Sequence, residues 1–139
     1  MDAINFKKEM TGTLDAVIAE VTELLKAEGF GILTRIDFHT KMKEKLGKDL
    51  PATVILGACN PQMAFEAWSA NPDATSLLPC NVVVRDIGGG KLSVEIAKPS
   101  TLMKLVGEKT LDAMTGQADE RLQKVLERLG SDKGKRPAA

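Results

Sequence analysis

Apolar residues recur along the chain at two spacings, and the switches between them mark out the elements. Leu14, Val17, Ile18, Val21, Leu24 and Leu25 fall at the three-and-four spacing of one helical face, with Glu20, Glu23 and Lys26 opposite. That pattern predicts a core-facing amphipathic helix from Leu14 to Leu25, closed by Gly29 as its C-cap. Phe30 to Ile36 has the length and branched character of a strand. Asp37 then stands where a helix from Phe38 to Leu46 would be capped, and Gly47 stops that helix.

Pro51 opens the run Thr53, Val54, Ile55 and Leu56, which lacks polar alternation and predicts a strand covered on both sides. The next helix is expected to turn Met63, Ala64, Ala67 and Trp68 inward, with Trp68 as a core anchor, and to break at Asn71-Pro72. Leu77 to Arg85 enters another strand, Gly88 to Gly90 make a turn, and Leu92, Val94 and Ile96 alternate with Ser93 and Glu95. This is a β-hairpin whose second strand is expected to have one wet face. The glycines join two strands and do not lead into a helix, so they do not form a phosphate loop. Pro99 and Ser100 begin a short helix ending near Gly107, and Leu111 through Leu129 describe a longer one. Gly130 to Ala139 has no periodicity and is expected to be a disordered tail. The elements assemble into one α+β domain over residues 1–129. It is predicted to have two layers, with helices on a mixed or mainly antiparallel sheet of about four strands.

Composition narrows the functions available. At 139 residues the chain fits one core, and 43% hydrophobic with 27% charged residues sets it apart from disordered and fibrous classes. No apolar run approaches the roughly 20 residues of a membrane span, and MDAINFKKEM is not a secretory leader, so a cytoplasmic protein is expected. Nineteen basic and nineteen acidic residues cancel. No global field therefore draws the chain to nucleic acid or an anionic membrane, and neither is an expected partner. The lysines at 41, 43, 45 and 48 read as a solvated helix face, since no aromatic residues interleave them. With no leader, the two cysteines are expected to be free thiols, and one histidine leaves no recognisable zinc set, so no metal ligands are assigned.

The stretch with the most chemical content is Ile55 to Ala64, where a strand pattern gives way to a helix pattern. Proline pushes the residue before it out of the helical region and itself suits the first helical position. Asn60 is thus the predicted N-cap and Pro61 the first helical residue. Cys59 sits just ahead of the helix, where the partial positive charge of its N-terminus favours a thiolate and burial opposes it. Cys80 opens the later strand. If the two strands run antiparallel, both thiols share one edge of the sheet, the arrangement the hairpin favours; if parallel, about 20 Å separates them. Cys59, Asn60, Cys80, Asn81 and Asp37 are the candidate ligand-binding residues. No catalytic residue is assigned, because His39, the one possible base for a thiol, has no nameable orienting partner.

The segments GFGILTRIDFHTKMKEKLG, ILGACNPQMAFEA and LLPCNVVVRD, with their paired ACNP and LPCN motifs, resemble the domain-of-unknown-function family numbered three hundred and two. The resemblance runs from about Leu14 to Leu129. It implies a compact α+β fold and a homodimer, and carries no established activity or cofactor. Relatives often have an aromatic residue near Thr53, an aspartate at the position of Ala97, and an initial strand that is short or absent here. Three functions follow: a non-catalytic binding or interaction module, which is preferred; a thiol-dependent enzyme or redox sensor using Cys59 and Cys80; and a metal- or haem-associated protein needing further ligands.

Overall fold

The computed structural model describes residues 4–130. The chain runs β1 (Asn5–Thr11), α1 (Leu14–Ala27), β2 (Gly31–Asp37), α2 (Phe38–Leu46), β3 (Thr53–Cys59) and α3 (Pro61–Ala70). A 3-10 turn at Pro72–Leu77 leads to β4 (Cys80–Gly88), β5 (Lys91–Ala97) and α4 (Pro99–Met103), and another at Lys109–Leu111 leads to α5 (Asp112–Arg128). One sheet in the order β1-β5-β4-β3-β2 is antiparallel at every step. The α+β expectation holds, with five strands in place of about four and no parallel pairing.

The additional strand is β1, which the sequence suggested was short or absent. Lys7, Lys8 and Glu9 break up its apolar pattern, yet Phe6, Lys8 and Met10 pair with Ile96, Val94 and Leu92, the inward residues of β5. Lys8 occupies its inward position by laying its stem along apolar surface and extending its ammonium past it. Nζ donates to the carbonyl oxygens of Leu126 (2.9 Å) and Leu129 (2.7 Å), at the C-terminal end of α5 where a cation is favoured.

α1 and α5 cover one sheet face. Val17, Val21 and Leu25 from α1 and Leu122 and Val125 from α5 pack on Val54, Leu56, Val82, Val84, Val94 and Ile96, all essentially excluded from solvent. Each such side chain contributes about 1.5–3 kcal/mol by leaving water. A smaller cluster of Ala67, Ala74, Met103 and Leu111 ties α3, the 3-10 turns and α4 together. Gly29 takes φ +87°, and the N–H groups of Gly29 and Phe30 bond back to Lys26 and Leu25, which closes α1 as expected.

Three residues or faces lie differently from what the sequence pattern predicts. Trp68 is 51% exposed and does not anchor the core. The buried stripe of α3 is Met63 and Ala67, and the next residue along a helix is turned by about 100°, toward solvent here. The second face of β5 is not wet, for Ser93 and Glu95 are buried. β5 lies between β1 and β4, and Arg85 reaches across to Glu95 Oε2 from Nε (3.0 Å) and Nη2 (2.7 Å) while Lys7 approaches it at 3.9 Å. Asp37 flanks α2 without a side-chain capping bond and accepts from Arg35 Nε at 2.9 Å instead. At the other end, the Gly130 N–H donates to Glu20 Oε2 at 2.6 Å, and the rest of the expected tail lies outside the described residues. No helix among the described residues is long and apolar enough to cross a membrane.

Candidate functional site

The strand-to-helix junction folds as its residues dictate. Asn60 is extended at φ −101° and ψ 111°, Pro61 opens α3, and Asn60 Oδ1 accepts the Met63 N–H at 3.0 Å. The cap is itself buried, against the end of α1. A Cβ on Gly29 would lie 2.9 Å from Asn60 Nδ2, so this glycine both closes α1 and leaves room for the cap of α3.

Antiparallel pairing of β3 with β4 sets Cys80 directly opposite Ala58, one residue from Cys59. The two cysteines therefore share an edge of the sheet, and the 20 Å separation of a parallel arrangement (about six residues of strand) does not arise. Both line a cavity of about 40 Å³, together with Met63 and Ala67 from α3, Met103 from α4 and Met114 and Ala118 from α5. Phe30, Ala58 and Leu78 complete an almost wholly apolar wall. Asn60 also borders it. Next to it, sharing Met103 and Thr115, is an open groove of about 400 Å³ with the polar residues Ser100, Lys104, Glu108, Lys109 and Asp112.

The other two candidate residues do not join this site. Asn81 pairs with Gly57 and is exposed, while its neighbours Cys80 and Val82 are buried. Asp37 pairs with Val54, at the opposite end of β2 from Gly31, which pairs with Cys59, so about 20 Å of strand lies between. His39 is at that distant end as well, where the Thr53 N–H donates to its Nδ1 at 3.0 Å. No Cys-His pair forms. Met103 and Met114 were not singled out from the sequence, because each sits in an apolar helical pattern that reads as core.

The environment keeps both thiols protonated near neutrality. Burial raises the Cys59 thiol above its ordinary value. Cys80 is pushed up to about 11, chiefly by burial and further by the negative charges of Cys59 and Asp119. Asp119 is fixed by bonds from the Ser100 N–H (3.1 Å) and the Ser100 hydroxyl (2.5 Å). A lowered pKa makes a thiol nucleophilic, and burial moves both of these thiols the other way. Among the described residues, no three His, Cys, Asp or Glu side chains converge on a point that would hold a metal ion.

Residues 6–129 match the family described as Domain of unknown function DUF302. The chain belongs to this family. A solved DUF302 relative, described as the crystal structure of an uncharacterized conserved protein from Bacillus stearothermophilus, superposes with a TM-score of 0.84 at 29% identity. The match covers 92% of this chain and 99% of that one. None of the curated proteins compared with this DUF302 chain matches it. The matched region takes in all of β1 but Asn5, so the initial strand belongs to the family portion of the chain.

Proposed function

We propose that this DUF302 protein is a non-catalytic, cytoplasmic binding module whose ligand engages the cavity where Cys59 and Cys80 meet. The observation that carries the reading is an almost wholly apolar cavity bordered by both cysteines, whose thiols burial raises. Such a wall recognises a ligand by shape and by sulfur, and raised thiols suit binding better than nucleophilic attack. Alkylation by iodoacetamide tests the reading. In the folded protein at pH 7 both cysteines should react more slowly than in denaturant, with half-buried Cys59 ahead of buried Cys80. Faster reaction of Cys59 in the folded than in the unfolded chain would favour the thiol enzyme or redox sensor.

We infer that the protein works as a homodimer. Support comes from the edge strand β2, whose Leu33 and Ile36 are 66% and 45% exposed, and from a net charge of zero that leaves little repulsion between copies. Sedimentation at roughly tens of micromolar should give twice the chain mass. A single species of 14.9 kDa contradicts the inference.

A further inference from the structure

Sulfur is concentrated in one place in this molecule. Both cysteines and three of the six methionines, Met63, Met103 and Met114, border the same small cavity, although they come from five different elements. We propose that the cavity binds a single Cu(I) ion through the Cys59 thiolate and the thioethers of Met63, Met103 and Met114, with the Cys80 sulfur in the same wall. The proposal rests on the binding-module reading and names its ligand.

Size argues for an ion. A water needs roughly 10–15 Å³ of such space, so a cavity of about 40 Å³ holds only a few atoms, and organic ligands occupy pockets of several hundred. Donor type argues for this ion. Thiolate and thioether are soft ligands that select Cu(I), whereas zinc sites require four nitrogen, oxygen or thiolate donors and calcium six or more oxygens. The described residues offer no such set.

Charge argues for one thiolate. An apolar wall penalises net charge, and Cu(I) with one thiolate and neutral thioethers has none. Cys59 is the less buried thiol and gives an access route from solvent. Binding forms a Cu–S bond at Cys59 and releases that thiol's proton to solvent, with no change of oxidation state. The sequence pattern offers two thiols and one imidazole as donors, and the methionine thioethers join them only in the fold.

Anaerobic titration with Cu(I) buffered by bicinchoninate tests the proposal. One ion per chain should be withdrawn from the chelator, with one proton released. Cys59→Ser should abolish retention, and Met63→Leu with Met103→Leu should weaken it by roughly tenfold or more while nearly preserving volume and fold. Met42→Leu, on α2 and outside the cavity, should leave affinity unchanged. Retention that survives Cys59→Ser, or that Met42→Leu weakens as much as the cavity double variant, overturns the proposal. Failure of the wild type to take any Cu(I) overturns it too; if alkylation of the folded thiols is slow in that same protein, the binding-module reading stands without copper.

Discussion

Glu95 shows how a single residue departs from what its sequence position implies. Alternation along β5 makes it a solvent-facing residue, but it is buried and accepts from Arg85 and from the Ser93 hydroxyl (2.9 Å). Burial alone would raise its carboxyl. The bonds from Arg85 and Ser93 and the charges of Arg85 and Lys7 outweigh burial and hold it below the ordinary carboxylate value. The unfolded carboxyl titrates at about 4.3, so the stabilisation is complete above that pH and is lost as pH falls through the lower folded value. Glu95→Gln is therefore expected to cost about 1–2 kcal/mol at pH 7, since half-exposed Arg85 is left solvated and not stranded. Urea denaturation at pH 7 and pH 3 checks this, the variant and wild type converging at the lower pH; an equal loss at both would contradict the ion-pair origin. Nothing in the local sequence reveals this burial, because the covering groups come from β1 and β4.

Among the elements, β3 and the junction into α3 were the most legible. A branched apolar run ending in Asn-Pro leaves few alternatives to strand, cap and helix, and the capping bond is present. β1 was hidden because Lys8 fills an inward position, which a binary reading of polar and apolar residues scores as outward. Gly57 was also unremarkable as a sequence feature, yet in the middle of β3 it is buried beneath Thr34 of β2 and Pro79. A Cβ there would collide with Thr34 Oγ1 and lie 2.8 Å from the Pro79 ring. Gly57→Ala should destabilise by about 1–3 kcal/mol through overpacking, read as a lowered denaturation midpoint. Thr34→Gly in the same chain should recover part of that loss and leave the part due to Pro79. A neutral Gly57→Ala would show that the two neighbours yield freely.

For the whole molecule, helix and strand content was legible, but assembly was only partly so. Periodicity identifies a face to bury without saying which strand lies beside which, so the order β1-β5-β4-β3-β2 and the placing of Asp37 and His39 far from the cysteines emerge only from the fold. The hairpin did indicate antiparallel pairing, and with it the shared edge of Cys59 and Cys80. The cavity wall was illegible because α3, α4 and α5 each contribute a methionine that alone looks like packing. A family without an assigned activity leaves function to be argued from this site, and the decisive property is the ionisation of its thiols. NMR titration of the two cysteine Cβ carbons in the folded chain measures it directly. Cys59 should titrate above the ordinary thiol value of about 8.5. Cys80 should titrate higher still, at about 11. A Cys59 midpoint below the ordinary value would contradict a protonated binding wall and restore thiol chemistry to this end of the molecule.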